Sequence, residues 1–522
     1  MTDISRRCLL RGGLILGAVG SASLLAGCES AVGQLRQASR GSGARGGTLV
    51  VGTPTDVDPK TIYSQSITSM NIGLLLWDTL IRYDHKTLQP TPSVATAWEF
   101  SADKLSLRLH LRDDVRYHSG RLLNADDVAY NIAKYADQKS GSQLQSTAAK
   151  IIHVDTADPS APVLHFEHPI VNIFDLLEFM LLTDKETEKE LAAGEKFIGT
   201  GPFRFTGRET GYLFETSRNE TYWGGPAQVA GVTIRVVRDA NALLTSVRSQ
   251  QTSIVLDASP QDLRPFGDET LYRVESLDVY DVAYYLGINV GNSALTDKRV
   301  RQAISYAIDR ERVVKEVLVG RGFVSCAPWA KSSPAFSDDA ARHYARNLER
   351  SRSLLAEAGY RGGSPLLLSY GSGSPATAGI AGIIQNNLAE IGVDARLDPR
   401  EQASYNPFLK SKQHQLWISP HGFGQSSPVT LATGAAPFKP AGNLSQFTSE
   451  EYTAAVNAFA DVVDPTSDEA KQVYQRFTDI LLDEQFISDI AISTWTTVAP
   501  VQVKGVKWSM YKNVDAHRAT VR

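Results

Sequence analysis

Cys28 is the residue whose setting points most directly to chemistry. It follows Leu25-Ala26-Gly27 at the end of an apolar run from Leu14 to Ala26, behind a start that carries Arg6, Arg7 and Arg11. Small residues before a cysteine at the end of an export signal look like a bacterial lipobox. A peptidase cuts before the cysteine, and the thiol receives a diacylglyceryl group. The alternative is a buried cysteine after a hydrophobic helix. Ser5-Arg6-Arg7 followed by Leu9-Leu10 resembles the twin-arginine export signal, and Gly12, Gly13, Gly17 and Gly20 keep the apolar core mild. The general secretory route is the alternative there. The run is too short to span a bilayer as a stable helix.

The rest of the chain offers no catalytic constellation. It contains no Gly-x-Ser-x-Gly elbow, no His-Glu-x-x-His and no phosphate loop, which argues against an exported hydrolase. We expect a protein that is not an enzyme. The ten histidines are scattered; His165 and His168 lie in a strand-like run, where residues three apart point to opposite faces. A nickel or haem role is therefore disfavoured, and no cofactor is expected. Gly41-Ser42-Gly43-Ala44-Arg45-Gly46 matches a dinucleotide fingerprint by letters, but it precedes a strand instead of following one. Of the three cysteines, Cys8 leaves with the signal and Cys28 takes lipid, so Cys326 stands alone and no internal disulfide is possible. Removing residues 1–27 takes away Arg6, Arg7, Arg11 and Asp3, which moves the formal charge from −4 to −6. Without an excess of Lys and Arg to neutralise phosphates, a nucleic-acid partner is disfavoured.

The elements that carry these residues can be read from the apolar pattern. Residues 29–47 lack periodicity and read as a tether with a reach of roughly 25 Å. A strand at 48–51 is followed by a helix over 66–80 with Ile72, Leu75, Leu76 and Thr79 on one side. After Trp98, Leu105, Leu107, Leu109 and Leu111 alternate with Ser106, Arg108, His110 and Arg112, the signature of a half-buried antiparallel strand. Ala125-Asp126-Asp127-Val128 opens a helix. Short strands are predicted at 151–154, 163–166, 203–206, 211–216 and 232–237, with a helix near 174–182. Beyond Tyr284 the pattern reads as helical over 300–319, 340–358, 376–391, 449–462 and 467–483, alternating with strands at 366–370 and 393–398. The second half is thus an α/β lobe, and the chain is long enough to divide into more than one lobe.

Several ordered motifs then carry a resemblance. Pro92-Ser93-Val94-Ala95, Tyr117-His118-Ser119-Gly120, Asn124-Ala125-Asp126-Asp127-Val128, Gly199-Thr200-Gly201-Pro202-Phe203 and Tyr222-Trp223-Gly224-Gly225 come first. Val300-Arg301-Gln302-Ala303-Ile304, Ala307-Ile308-Asp309-Arg310, Leu354 to Tyr360 and Leu388 to Val393 follow. From about Gly47 to Gly505 the chain resembles the peptide/nickel/opine class of extracytoplasmic solute-binding proteins of ABC importers, solute-binding protein family 5. Most of these residues read as structural, setting turns, filling core or pairing charges.

The resemblance implies an α/β, two-lobed periplasmic-binding-protein clamp, type II-like and cluster C, with an additional domain. Behind the signal (1–27) and the lipid-anchored tether (28–46), domain I would combine 47–77, 196–270 and 492–522. Residues 78–195 would form the extra domain II, and 271–491 the opposing lobe, domain III. Closure around a hinge would trap the solute. The expected partners are a peptide or small-molecule solute, the permease subunits of an ABC transporter and, through Cys28, the membrane. A monomer is expected. The alternatives to capture of a peptide for an importer are a binding protein for a non-peptide solute, such as an oligosaccharide or siderophore-like compound, and a sensory solute-binding protein.

The resemblance also places a ligand loop. In peptide-binding members it reads approximately Gly-Trp-x-(x)-Asp-x-x-x-Pro, and the aspartate receives the ligand's α-ammonium group. A buried ammonium needs an opposite charge. Here the stretch is His421-Gly422-Phe423-Gly424-Gln425-Ser426-Ser427-Pro428. Phe423 replaces the aromatic, and Gln425 stands near the aspartate's place without its charge. This favours a ligand with no free α-ammonium unless another carboxylate takes the role. His421 and Trp417 flank the loop, as ligand contacts or as packed residues. Tyr63, Ser64 and Gln65, after Asp58-Pro59, occupy the region that lines the cleft from domain I, with a surface loop as the alternative. Tyr405 and Asn406 are further candidates.

Overall fold

The alternation after Trp98 forms the strand that its pattern predicts. In a computed structural model that describes residues 46–521 except 86, 257, 277–281, 423–426 and 463, Leu107, Leu109 and Leu111 of the strand Ser106–Leu111 are buried. That strand pairs antiparallel with Ala95–Phe100 and Val163–Phe166, and Ile151–Asp155 completes a four-stranded sheet. The helix Ala125–Ala136 covers it, started by a capping box in which Asn124 and Asp127 each accept the other's backbone amide. The signal, Cys28, the tether, Phe423 and Gln425 lie outside the described residues.

A seven-stranded sheet forms around Thr48–Thr53, which runs parallel to Gly231–Val236 and Ile254–Val255. Leu213–Arg218 and Phe203–Glu209 extend it on one side, and Thr496–Pro500 and Tyr272–Ser276 on the other. Tyr272–Ser276 thus belongs to this sheet and not to the opposing lobe, because its five residues pair with Thr496–Pro500.

A six-stranded sheet builds the second lobe in the order Gly322–Val324, Ile487–Ser493, Val282–Ile288, Leu416–His421, Leu366–Gly371, Ala395–Arg400. Ile492 and Ser493 pair with Ala283 and Val282, so the return to the first sheet falls at Thr494–Trp495, two residues after the expected boundary. The outward crossing lies between Ser276 and Val282. One buried apolar cluster runs from Leu107 and Phe179 of the added domain to Trp417 and Phe438 of the second lobe, so these two bodies are in contact.

Several elements differ from the pattern's reading. The helix over 66–80 ends at Leu76 and is buried from Thr68 to Leu76 on every side, because the added domain and the C-terminal segment cover the face turned away from the sheet; Gly73 alone meets Asn513 and Leu181. The expected helix 300–319 breaks after Ala307: Ile308 is extended, and the Asp309 side chain caps a new turn by accepting the Arg312 amide. The expected helix 340–358 divides into Asp338–Arg342 and Leu348–Glu357, started by Ser337 and Asn347. Arg301 makes a charge pair between elements, 2.9 Å from Glu484, whereas Arg218 pairs with Glu220 two residues on.

Gly287 shows how tightly the second sheet is packed. It lies across from Trp417, whose indole covers the space that a Cβ would need. Gly287→Ala is expected to lower the unfolding free energy by about 3 kcal/mol, the upper part of the usual range for overpacking. Urea denaturation tests this, and an unchanged midpoint would mean that the indole has room to move.

Candidate functional site

The strand Leu416–His421 leads directly into the loop that the sequence singled out, and the helix Pro428–Gly434 follows it. Three bodies surround this loop. At its upstream end, a Cβ on Gly422 would stand 3.1 Å from Lys512 Nζ and 3.5 Å from Gln65 Nε2. Lys512 belongs to the C-terminal segment, and Gln65 to the turn before the helix Ile67–Leu76. At its downstream end the Ser427 amide donates to Asp175 Oδ2 at 3.2 Å, and the Thr430 hydroxyl donates to the same oxygen. Asn172 Nδ2 adds a bond to Thr430 Oγ1 at 2.9 Å, and the Gln143 carbonyl packs against Gly434. The two lobes and the added domain thus meet at the two ends of the loop, Gly422 and Ser427, and along the helix that follows.

His421 is buried beside the loop. Its ring lies 5.2 Å from that of Phe438 and 5.9 Å from that of Tyr285, and its Nε2 is 3.9 Å from Asp489 Oδ1. That separation is too long for a hydrogen bond and leaves an electrostatic pairing. Burial pushes the Asp489 carboxyl up from its ordinary pKa, with His421 and Arg310 opposing. Two carboxylates stand three residues apart on the helix Ile173–Phe179. Burial raises Asp175, against hydrogen bonds from Thr430, Tyr83 and the Ser427 amide. Burial also raises Glu178, to about 7, with Arg82 and the Met510 amide opposing.

Buried polar atoms without a hydrogen-bond partner among the described residues gather here. They include Gln65 Nε2, both ring nitrogens of His421, Ser427 Oγ and Glu178 Oε2. More than nine in ten buried polar groups find partners in native proteins, so such a gathering calls for a cause.

The expected site residues separate into three groups. Gln65 and His421 reach the loop. Tyr63 and Ser64 lie nearby but are occupied: the Tyr63 ring packs edge-on to Tyr135 at 5.4 Å and its hydroxyl is 3.4 Å from Thr183 Oγ1, while Ser64 Oγ donates to the Thr61 carbonyl. The structure brings neither Tyr405 nor Trp417 to the loop surface. Tyr405 donates its hydroxyl to the Ile418 carbonyl at 2.7 Å, and Trp417 is fully buried against Gly287 and His414. Asn406 is exposed on the same helix as Tyr405. Sequence reading missed Lys512, Gln143, Asp175 and Glu178. Only the last two left a signal, as acidic residues inside the otherwise apolar stretch Ile173-Phe-Asp-Leu-Leu-Glu-Phe179.

A separate cavity of about 520 Å³ in the second lobe, lined by Arg310, Phe323, Cys326 and Lys331 among others, contains none of the site residues. Among the described residues, no group of three or more His, Cys, Asp or Glu side chains could hold a metal ion. His165 instead stacks on His153 at 5.8 Å. No helix among the described residues is long and apolar enough to cross a membrane.

Comparison with known proteins gives a consistent result. Residues 89–437 match the family model of the bacterial extracellular solute-binding proteins, family 5. The chain is 24% identical over 498 residues to the dipeptide-binding protein of Escherichia coli K12, covering 87% of this chain and 90% of that one. The oligopeptide-binding protein AppA of Bacillus subtilis, solved with a nonapeptide, superposes with a TM-score of 0.79 at 20% identity, over 92% of this chain and 99% of that one. NikZ of Campylobacter jejuni, solved with Ni(L-His), also superposes at 0.79, with 22% identity over 89% and 97%. At these identities, the two superpositions speak for the fold.

Proposed function

This chain belongs to the bacterial extracellular solute-binding proteins, family 5, and from that premise we propose that it captures a peptide or peptide-sized solute and delivers it to the permease of an ABC importer. Its work is binding and not turnover, in keeping with its family. The observation that carries the reading is the gathering of buried, unpartnered polar atoms where the two lobes and the added domain meet. A solute bound there would supply the missing partners, while the apolar walls exclude water. The names of similar proteins, dipeptide-binding and oligopeptide-binding among them, support the solute class.

In this reading the lobes close by bending where the chain returns between them, at Thr494–Trp495, and the solute holds them together by contacting both. Gln65 contributes from the first lobe, with His421, Phe423 and Gln425 from the second. Phe423 stacks on or walls the solute. Gln425 offers a carbonyl without charge, which favours a solute lacking a free α-ammonium group: a blocked peptide, an oligosaccharide or a siderophore-like compound. Cys28 carries lipid and tethers the protein to the outer face of a membrane, after export on the twin-arginine signal around Arg6-Arg7.

A thermal-shift screen tests the ligand class. A ligand that binds only the folded clamp stabilises it by about 2.7 kcal/mol at a hundredfold excess over Kd. N-acetylated peptides or non-peptide solutes are expected to raise the melting temperature more than free peptides do. Tight binding of free peptides, lost on acetylation, would overturn the preference for an uncharged terminus. Failure of every class, with no solute co-purifying by native mass spectrometry, would overturn solute capture itself.

A further inference from the structure

The cavity of about 520 Å³ in the second lobe has the size of a small-molecule site, and it shares no residue with the loop. Phe323, in the middle of the strand Gly322–Val324, stands edge-on to Phe336 at 6.3 Å, and Val314 and the buried Cys326 add apolar wall. Such a lining suits a ring, because aromatic pairs gain more than the area they bury.

The charges around the cavity do not cancel. Arg346 donates to both oxygens of Glu390, at 2.8 and 2.7 Å, and lies 3.9 Å from Asp309, so this group balances itself. Lys331 and Arg342 are exposed, as are Glu311 and Asp338, and these four offset one another in solvent. Arg310 is what remains. It is 4% exposed and spends all five N–H donors on neutral acceptors: the carbonyls of Ser305, Tyr344 and Asp489 and the hydroxyls of Ser305 and Ser488. It makes no ion pair among the described residues; the Asp489 carboxyl lies 3.9 Å from His421 instead. A buried cation held only by neutral groups keeps much of the cost of leaving water, and an anion entering the cavity it lines would offset part of that cost. Lys331 can meet such an anion. Its ammonium stands 4.8 Å from the centroid of the Phe323 ring, a contact that uses none of its three N–H donors.

We propose that this cavity is a second binding site, which takes a small aromatic carboxylate. The ring packs against Phe323 and Phe336, and the carboxylate accepts a charge-assisted hydrogen bond from Lys331 within the field of Arg310. The site is separate from the solute cleft and does not depend on which solute the cleft holds.

The test uses the full mature chain with phenylacetate and indole-3-acetate, each beside its neutral amide, and with cyclohexylacetate. Calorimetric titration of the wild type is expected to show saturable one-to-one binding of the aromatic acids, favoured over the matched amides by about tenfold or more, the worth of one hydrogen bond to a charged group. Lys331→Met, at an exposed position that the fold does not need, is expected to bring each pair within about twofold, and Lys331→Arg to retain the preference. Val314→Trp, which fills the cavity, should weaken acids and amides alike by about tenfold or more. Gln65→Leu, in the solute cleft, should change neither. No saturable binding at millimolar ligand, equal binding of acids and amides, or cyclohexylacetate binding as tightly as phenylacetate would overturn the proposal. Binding lost in Gln65→Leu but kept in Lys331→Met would overturn it as well, by placing the probes in the solute cleft.

Discussion

Cys28→Ser is expected to move the protein from the membrane fraction to the soluble extracytoplasmic fraction, or to leave it as uncleaved precursor. The reasoning follows from the Leu25-Ala26-Gly27-Cys28 sequence. Each buried methylene of an acyl chain contributes about 0.8 kcal/mol of membrane affinity, and stable anchoring takes two such signals. Among the described residues no helix could substitute as an anchor. Removing the thiol should therefore abolish retention almost completely, without altering the fold. Fractionation followed by intact-mass analysis is the measurement; an unmodified Cys28 in membrane-bound mature protein would sink the proposal. In the same fractionation, a chain with both Arg6 and Arg7 changed to Lys should remain inside the cell. Continued normal export would assign it to the general secretory route.

Glu178→Gln is expected to stabilise the protein at alkaline pH and to leave it unchanged in acid. Burial raises this carboxyl from 4.5 to about 7 in the folded state, with Arg82 and the Met510 amide opposing and Asp175 adding to the rise. The folded state then holds its proton more tightly than the unfolded one, so its stability falls as pH rises through that window. Below the unfolded value both states are protonated, and the burial of charge costs nothing. Above the folded value the full cost is present, about 3 kcal/mol. Asp78, Asp175 and Asp489 are also raised by burial, so the comparison of Gln with wild type is what isolates Glu178. Denaturant unfolding at intervals from pH 4 to 9 should show a gap that opens in favour of Gln as pH rises. Parallel curves would mean that Glu178 keeps its charge at no cost, with Arg82 as its partner.

Local pattern made the added domain legible and left much of the second lobe hidden. Ser106–Leu111 alternates because one face is wet, and the helix Ala125–Ala136 declares its start through Asn124 and Asp127. Val282–Ile288, Leu416–His421 and Ile487–Ser493 are covered on both faces, so residues such as Ala283, Leu286 and Ile490 are buried regardless of parity, and no alternation marks them as strands. The site divides in the same way. The candidate loop was singled out from its own residues, but the neighbours of its ends come from far along the chain. Nothing about Lys512 in sequence indicates that it will stand beside Gly422, 90 positions earlier. Tyr405 illustrates the converse: an aromatic hydroxyl suited to a ligand by type is taken by the Ile418 carbonyl.

The strands Ile487–Ser493 and Thr496–Pro500 have a consequence for the order of assembly. The first lies inside the second sheet, between Gly322–Val324 and Val282–Ile288. The second lies inside the first sheet, between Tyr272–Ser276 and Ile254–Val255. One stretch thus supplies an interior strand to each lobe, and neither sheet can be complete before that stretch has been made. Until then, both lobes present open edges, which are the usual templates for aggregation. Pairings this distant in sequence also slow folding. The nascent chain must be kept from self-association until these two strands arrive, and a chain truncated before residue 487 would lose both lobes together.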